Sequence, residues 1–433
     1  MSSTNNSKNA IVIIGILFFI FGFVTWLNGT LIPFLKLACQ LESDIQAFFV
    51  TFAFYMAYFF LAVPSSFLLK MTGFKNGMAL GLLIMGIGSL IFVPAANSRS
   101  YVLFLVGLFV QGTGLALLQT ASNPYISIIG PIESAARRIS IMGVCNKTAG
   151  ALSPLILSAL ILKNAGQLEE KINATTDMVQ KAILLDELAL RVVVPYIVMA
   201  IILILLAYMI KRSGLPEINV DKEEPRVLNQ PIEKTSVFQF PHLMLGVICL
   251  FVYVGVEVIA GDAIGTYGKT MGMSIDKTKY FTTFTLIAML AGYIVGIFTI
   301  PKIITQQTAL KISALLGILF SVCIYFSSGY IAITFIALLG LANALMWPAI
   351  FPMAIEGLGR FTKIGSAFLI MGIAGGAVIP LLYPYLRVNK NIPNNMAFFI
   401  CTLPCYLYIL YYSIKGYNAG KTKLTTVTLA PMV

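Results

Sequence analysis

The stretch Gly114-Leu-Ala-Leu-Leu-Gln-Thr-Ala-Ser-Asn-Pro-Tyr125 ends an apolar run that is long enough to cross a bilayer as a helix. Gln119 and Asn123 lie four residues apart in it, on one face of a helix. Because an unpaired amide in hydrocarbon costs several kcal/mol, this face should contact protein or water rather than lipid. Pro124 removes a backbone donor at the same level and should loosen the helix. The stretch therefore predicts a membrane-spanning helix that lines a polar cavity.

The composition of the whole chain is typical of a membrane protein. Of its 433 residues, 58% are hydrophobic and 11% charged, and the mean hydropathy is +0.90, whereas soluble domains carry about 25% charged residues. At roughly 20 apolar residues per span, this length accommodates about a dozen helices. The net charge of +12 is better explained by basic residues at the cytoplasmic ends of spans than by nucleic-acid binding. We expect a lipid bilayer and no nucleic acid as partner.

The sequence offers little for catalysis or metal binding. The six cysteines are scattered singly and form no C-x-x-C pair, so neither zinc nor a redox dithiol is indicated. His242, the single histidine, lacks metal or triad partners nearby in the sequence. The glycines of Gly372-Ile-Ala-Gly-Gly376 fit helix packing rather than a phosphate loop. We therefore expect a protein that is not an enzyme, with no catalytic residue, metal or cofactor.

Hydropathy and turn signals predict twelve spans. They lie at roughly 10–37, 46–69, 76–95, 101–126, 138–162 and 191–210, and then at roughly 241–268, 280–301, 309–327, 330–353, 364–386 and 396–415. The polar, proline-containing stretch Lys211–Lys234 predicts a linker. The expected domains are residues 1–210, a cytoplasmic linker at 211–239, and residues 240–433. The polar leader before the first span lacks a cleavage pattern, which favours an uncleaved span over a signal peptide.

The distribution of Lys and Arg predicts the orientation. If both termini are cytoplasmic, most basic residues fall on that side, as the positive-inside rule requires. They include Lys70, Lys75, Arg137, Arg138, Arg360, Lys363 and those of the linker. The stretch Asn164–Glu187 then becomes an external loop, expected to be partly helical and amphipathic.

The two sets of spans share a sequence pattern. Gly114-Leu-Ala, Asn123-Pro124 and Ile141-Met-Gly143 in the first set correspond to Gly340-Leu-Ala, Trp347-Pro348 and Ile370-Met-Gly372 in the second, at an offset of about 224–229 residues. Parallel six-span repeats are typical of major facilitator transporters. Chance is the alternative, because Gly, Pro and Ile are common in membrane helices. The pieces occur in the same order in both sets, which favours an all-α membrane protein with twelve transmembrane helices in two six-helix pseudo-repeats.

Amides and one tryptophan mark a candidate substrate site. Gln111, Gln119 and Asn123 can share one broad face of span 4 that lines the cavity, because Gln111 and Gln119 are about 80° apart around the helix. Asn343 and Trp347 lie four residues apart in span 10. Aromatic rings that stack on a pyranose, with amides that bind its hydroxyls, are expected of a neutral sugar site. Interhelical hydrogen bonds, a helix cap at Asn28 and a packed Trp347 are the alternatives. The predicted substrate-binding residues are Asn28, Gln119, Asn123, Asn146, Asn343 and Trp347.

Three charged residues within spans are candidates for coupling or gating. Lys147 lies about 15 Å into span 5, where a lysine costs about 2.5–3.5 kcal/mol and needs a partner or water. Glu257 lies in the middle of span 7, and Asp262 follows five residues later. A buried carboxylate beside a movable partner can couple transport to protons. The alternatives are a static Lys147–Glu257 ion pair, and a sugar-hydroxyl or outer-gate role for Asp262.

At these residues the sequence resembles the fucose/glucose/galactose permease branch of the major facilitator superfamily. The similar pieces are Trp26-Leu-Asn-Gly-Thr-Leu-Ile-Pro33, Leu118-Gln-Thr-Ala-Ser-Asn-Pro-Tyr125, Tyr253-Val-Gly-Val-Glu257, Gly340-Leu-Ala-Asn-Ala-Leu-Met-Trp-Pro348 and Gly357-Leu-Gly-Arg-Phe-Thr-Lys-Ile-Gly-Ser-Ala367. The resemblance implies a bacterial inner-membrane carrier, monomeric, that moves a monosaccharide by alternating access with a coupling cation. Fucose-type members carry acids where this chain has Gly29 and Gln119.

Those two departures affect the expected coupling, because neither glycine nor glutamine titrates. Proton symport would then depend on Glu257, Asp262 or Lys147. Sodium coupling and uncoupled transport stay open, and so does the choice of sugar. Two further alternatives are a membrane sugar sensor that does not transport and an exporter of drugs or peptides with the same fold. The short tail after Tyr412 argues against a sensor, which would be expected to carry a long cytoplasmic domain.

Overall fold

The computed structural model describes residues 2–128, 135–214 and 234–421. The described helices of the first half, in chain order, are α1 (Ser2–Thr25) and α2 (Asn28–Ala38) in span 1, α3 (Asp44–Asn97) in spans 2 and 3, α4 (Tyr101–Ile128) in span 4, α5 (Ala135–Ile161) in span 5, the short helices α6 (Ala165–Ala174) and α7 (Met178–Leu190), and α8 (Val193–Arg212) in span 6. We call spans 1 to 6 the N half.

The second half, which we call the C half, contains the other six spans. Its described α-helices are α9 (Pro241–Thr270) in span 7, the short helix α10 (Ile275–Thr278), α11 (Phe281–Thr299) in span 8, α12 (Gln306–Phe326) in span 9, α13 (Gly329–Asn343) and α14 (Met346–Ile355) in span 10, α15 (Thr362–Met371) and α16 (Gly375–Lys390) in span 11, and α17 (Asn394–Ile414) in span 12.

Helix α3 accounts for two spans. Its 54 residues would extend about 81 Å as one straight helix, far beyond the roughly 30 Å of bilayer hydrocarbon. The helix turns back at Gly73, whose φ of 77° is accessible to glycine without steric cost. Eleven continuous helical stretches of the described chain are long and apolar enough to cross a membrane. With α3 counted twice, the predicted twelve-span all-α fold is confirmed.

Local sequence signals explain several helix ends. Span 2 begins with a capping box, in which the Ser43 side chain and the Gln46 side chain each accept a hydrogen bond from the other residue's backbone N–H. Pro241 occupies the first turn of α9, where its missing N–H costs nothing. At the end of α4, the Arg138 side chain donates to the carbonyl oxygens of Ile126 and Ser127, at 3.0 and 2.7 Å.

Two expectations about span ends have different outcomes. Helix α4 continues through Pro124 to Ile128, so this proline does not end the helix, and the expected loosening stays a prediction. The stretch between spans 5 and 6 is partly helical, as predicted, and α6 buries Ala165, Leu168 and Ile172 on one face. Most of Lys211–Lys234 lies outside the described residues, so the division into two halves and a linker stays a prediction.

The alternating spans define two ends of the bundle. We call the end that carries α6 and α7 the α6 face, and the end at which span 6 finishes and span 7 starts the linker face. Small residues bring the two halves together between these ends. A Cβ at Gly143 of span 5 would lie 2.4 Å from the Tyr293 ring of span 8, and one at Gly376 would lie 3.0 Å from the Tyr55 ring. Glycines therefore permit close contact between the halves.

Candidate functional site

A cavity lies between the two halves, lined by residues of spans 1, 2, 4, 5, 7, 8, 10 and 11. Its volume is about 80 Å³, well below the range of about 300–1,000 Å³ that is usual for small-molecule sites, so the space between the halves is narrow in this structure. Its aromatic lining consists of Phe18, Phe21, Trp26, Tyr55, Tyr58, Tyr253, Tyr293 and Trp347, and its polar lining of Thr25, Gln119, Asn123, Asn146, Lys147 and Glu257. The wall is thus mainly aromatic, with a few amides and one pair of charges.

The span 4 amides contribute an open hydrogen-bond acceptor to this cavity. The Gln119 Nε2 donates to the Tyr58 hydroxyl at 3.0 Å, and the Asn123 Nδ2 donates to the backbone oxygen of Gln119 at 3.0 Å. The Asn123 Oδ1 is buried and has no hydrogen-bond partner among the described residues. Because a buried acceptor without a partner is costly, this oxygen is suited to a donor on a bound molecule.

Trp26 contributes an open donor and an aromatic face. Its Nε1 is buried without a partner in the described part of the chain, and the Lys147 ammonium lies 4.3 Å from the ring centroid. Added Cβ atoms at Gly150 and Gly261 would come within 2.5 and 2.2 Å of the ring. The indole is therefore held between span 5 of the N half and span 7 of the C half.

Trp26 and the four lining tyrosines are functional candidates that sequence reasoning missed. A signal for Trp26 was present, because the chain has two tryptophans and both line the cavity. Trp26 also lies at the break between α1 and α2, and Trp347 lies two residues after the break between α13 and α14. The tyrosines carried no comparable signal, since nothing in the spacing of Tyr55 or Tyr253 separates it from a lipid-facing or packed ring.

A buried ion pair joins the two halves beside the cavity. The Lys147 Nζ lies 2.9 Å from the Glu257 Oε1, and the two side chains are 7% and 10% exposed. The lysine predicted to need a partner at membrane depth therefore has one in Glu257, and a ring contact with Trp26 in addition. Neighbouring Asn146 also lines the cavity, while its Nδ2 donates to the backbone oxygen of Phe18 at 3.2 Å.

Several predicted amides lie outside the cavity lining. Asn343 donates to the backbone oxygen of Val256 at 3.4 Å and accepts from the Tyr406 hydroxyl at 2.8 Å, so it joins spans 7, 10 and 12. Gln111 donates to the Ser89 hydroxyl at 2.7 Å. The expectation that Gln111 shares a cavity face with the other span 4 amides is therefore wrong, because its amide is bound to span 3. Asn28 is fully buried and does not line the cavity.

Asp262 lies apart from the Lys147–Glu257 pair. Its carboxyl group is 1% exposed and accepts a hydrogen bond from the Thr51 hydroxyl at 3.3 Å. It does not contribute to the cavity lining. The five-residue spacing from Glu257 already predicts this separation, because it turns the two side chains about 140° apart on a helix.

Ion pairs also join the halves at the α6 face. Asp44 of span 2 pairs with Lys36 of span 1 and with Arg387 of span 11, whose Nη1 lies 3.0 Å from the Asp44 Oδ2. Glu169 of α6 pairs with Lys269 of span 7 at 2.9 Å. These contacts connect elements of both halves, so the halves are held together at this end of the bundle.

Comparison with known proteins agrees with the architecture. Residues 14–382 match the Major Facilitator Superfamily. A glucose/galactose transporter of Brucella abortus biovar 1 (strain 9-941) is 32% identical over 418 residues, which cover 96% of both chains. An L-fucose-proton symporter of Escherichia coli (strain K12) is 27% identical over 382 residues, covering 87% of each.

Solved structures give the same result. The crystal structure of the major facilitator transporter FucP in the outward conformation aligns with a TM-score of 0.74 and 25% identity, over 93% of this chain and 97% of FucP. The proton:xylose symporter XylE aligns with a TM-score of 0.67 at 14% identity over 93% and 95% of the two chains, which is a likeness of fold. The resemblance seen in the sequence is confirmed, and the chain belongs to the Major Facilitator Superfamily.

Proposed function

We propose that this protein imports a neutral monosaccharide, a hexose such as glucose or galactose or else fucose, by alternating access and in symport with a proton. Relatives that match nearly the full chain are named for the transport of these sugars. The membrane-spanning fold supports movement of the two halves around a central site.

One observation carries the choice of substrate class. The aromatic cavity contains an acceptor, the Asn123 Oδ1, and a donor, the Trp26 Nε1, that have no hydrogen-bond partner among the described residues. A sugar hydroxyl both donates and accepts hydrogen bonds, so one pyranose can satisfy both atoms, while its C–H faces stack on Trp26 or Trp347. A purely apolar substrate would leave both polar atoms buried without a partner, at a cost of about 1–3 kcal/mol each.

The residues divide by proposed role. Gln119, Asn123, Asn146 and Trp347 bind the sugar together with Trp26. Asn343 acts on the site through its bonds to spans 7 and 12, and Asn28 binds substrate only when the halves separate at the α6 face. The Lys147–Glu257 pair couples the sugar to the proton, because it bridges the halves and touches Trp26.

The proposal includes sidedness and assembly. The linker face is cytoplasmic, with both termini on that side, because most basic residues fall there under the positive-inside rule. The protein works as a monomer in a bacterial inner membrane. Contacts between the halves at the α6 face correspond to a carrier that is closed toward the outside.

The proposal is tested by uptake into proteoliposomes. Radiolabelled glucose, galactose, fucose and xylose are offered under an imposed proton gradient, an imposed sodium gradient or neither. We expect one of the first three sugars to accumulate with the proton gradient alone. Accumulation with sodium alone, or equilibration without a gradient, would establish the sodium-coupled or uncoupled carrier instead. Sugar binding without flux would indicate a sensor, and absence of sugar binding would contradict the proposal.

A further inference from the structure

Asp262 lies in a compact polar cluster between the cavity and the α6 face. Thr51 of span 2 donates to its Oδ2 at 3.3 Å, while its Oδ1 has no hydrogen-bond partner among the described residues. Thr282 of span 8 lies on the same side of α9, and its hydroxyl donates to the Gly261 backbone oxygen at 2.8 Å. All three side chains are at most 5% exposed. The carboxyl group is therefore buried with a single, long hydrogen bond.

The cluster spans the interface between the halves. Thr51 belongs to the N half and Asp262 to the C half. Gly29 of span 1 completes the contact, since a Cβ there would lie 3.3 Å from the Asp262 Oδ1 and 2.7 Å from the Thr282 Oγ1. Only a residue without a side chain lets span 1 approach this closely. Separation of the halves at the α6 face would open this contact and expose the carboxyl group.

The surroundings of Asp262 favour one protonation state when the halves are together at the α6 face and the other when they are separated. When the halves are together, the free Oδ1 and the single hydrogen bond leave a carboxylate poorly compensated, and burial of such a charge is costly. The neutral acid avoids this cost. Lys147, the basic residue that lines the cavity, is already paired with Glu257. When the halves separate, water can solvate the charge.

We propose that Asp262 forms a second proton-binding site, distinct from the Lys147–Glu257 pair, whose occupancy controls closure of the α6 face. The halves close over the protonated acid and separate when it ionises. This proposal rests on the alternating-access function above and adds to it a group that binds a proton when the carrier closes. Gly29 and Thr51 position the carboxyl group, and neither needs to touch the sugar.

The direction of the pH effect distinguishes Asp262 from other titrating groups. Tyr55 of span 2 and Glu257 of its own helix are the titratable groups that act on it electrostatically; spans 1 and 8 present Gly29 and Thr282, which do not titrate. The pairs of Asp44 and Glu169 at the α6 face weaken when their carboxylates are protonated, so they would open this face as pH falls. Control by Asp262 opens it as pH rises.

The test measures the separation of the halves against pH. Spin labels are placed at exposed Lys163 of the N half and exposed Lys390 of the C half, both at the α6 face. They are attached through a keto amino acid so that the six native cysteines stay in place. Distances are measured in liposomes from pH 5.5 to 9.0 at constant ionic strength, in potassium and in sodium, without sugar.

As pH rises, we expect the ratio of closed to separated molecules to fall by up to about tenfold per pH unit, which is the limit for the release of one proton. Asp262→Asn, which mimics the neutral acid, should stay closed throughout. Thr51→Val should move the transition to higher pH, because a donor to the carboxylate is lost. Asp177→Asn is the matched control, since Asp177 is an exposed α6-face residue that caps α7 and asparagine caps equally well.

Three outcomes would overturn the inference: a parent protein that is insensitive to pH, an Asp262→Asn variant with the parent's pH dependence, or closure that follows sodium instead of pH. If Asp262→Asn does not fold, the test depends on Thr51→Val. An unchanged transition pH in that variant would overturn the inference, and a shift to higher pH would support it. Sugar binding is measured on the same parent preparation. Binding with a pH-insensitive α6 face would refute this inference alone, whereas absence of binding would refute the proposed transport function.

Discussion

The Lys147 Nζ lies 2.9 Å from the Glu257 Oε1, so that one ion pair connects span 5 of the N half with span 7 of the C half. The ammonium also lies over the Trp26 ring, which places the ion pair directly at the cavity wall. Removal of one partner from a buried pair leaves an uncompensated charge, at a cost of about 3–5 kcal/mol, whereas removal of both can be nearly neutral. The role of the pair in proton coupling can therefore be tested separately from its effect on the stability of the fold.

The first prediction concerns this pair. Glu257→Gln should abolish pH-dependent accumulation of sugar while counterflow exchange persists, and it should lower the free energy of unfolding because Lys147 is left unpaired. The double variant Lys147→Met/Glu257→Gln should recover most of that stability and still fail to accumulate sugar. Thermal unfolding and proteoliposome flux are measured on the same samples. Unchanged accumulation in Glu257→Gln would make the pair a static contact.

The second prediction concerns the span 4 amides. Asn123→Ala and Gln119→Ala should each weaken sugar binding by about tenfold or more, the equivalent of one hydrogen bond of about 1.4 kcal/mol. Gln111→Ala is the matched control, because Gln111 bonds Ser89 away from the cavity. It should lose stability by about 1 kcal/mol and keep its affinity. Affinity is measured by tryptophan fluorescence titration; equal losses in all three variants would contradict the site.

The third prediction concerns the indole N–H of Trp26. Trp26→Phe keeps an aromatic ring between the glycines of spans 5 and 7 but removes the unpaired donor. Sugar affinity should fall by about fivefold to tenfold, with little change in the melting temperature. Trp347→Phe is the comparison, since its contribution is expected to come from the ring face. A Trp26→Phe variant with unchanged affinity, measured by isothermal titration, would exclude the donor role.

The fourth prediction concerns Cys39, which follows α2 at the α6 face. Burial raises the pKa of the Cys39 thiol to about 11, although the nearby Arg99 charge opposes the shift. The thiolate is the reactive form, so alkylation by N-ethylmaleimide should accelerate about tenfold per pH unit from pH 7 to 10. Arg99→Gln should slow the reaction, because it removes the charge that lowers the pKa.

Asp186→Asn serves as control for that prediction. It breaks the Arg99–Asp186 ion pair but keeps the Arg99 charge, so alkylation should not slow. Mass spectrometry of the peptide that contains Cys39 gives the rate. A rate that levels off near pH 8 would show that the thiol is not shielded as the structure indicates.

Much of the site was accessible from sequence because polar groups are rare in these spans. The cost of a polar side chain at membrane depth identified Gln119, Asn123, Asn146, Lys147 and Glu257. Trp347 was identified by its four-residue spacing from Asn343 and its aromatic ring, and all six residues line one cavity. The same argument could not separate Asn343 from them. Asn343 is buried and bonded to Tyr406 and Val256. In sequence, such an amide looks the same as one that faces a cavity.

The sequence by itself determined the class of protein, the number of spans and the repeated pattern, because hydropathy and span length follow from composition along the chain. It also determined that Lys147 needs a partner. Only the tertiary structure decided that the partner is Glu257, that Trp26 lies between two glycines of opposite halves, and that Asp262 faces Gly29. These relationships join residues more than one hundred positions apart, and distance in the chain carries no information about which helix faces which.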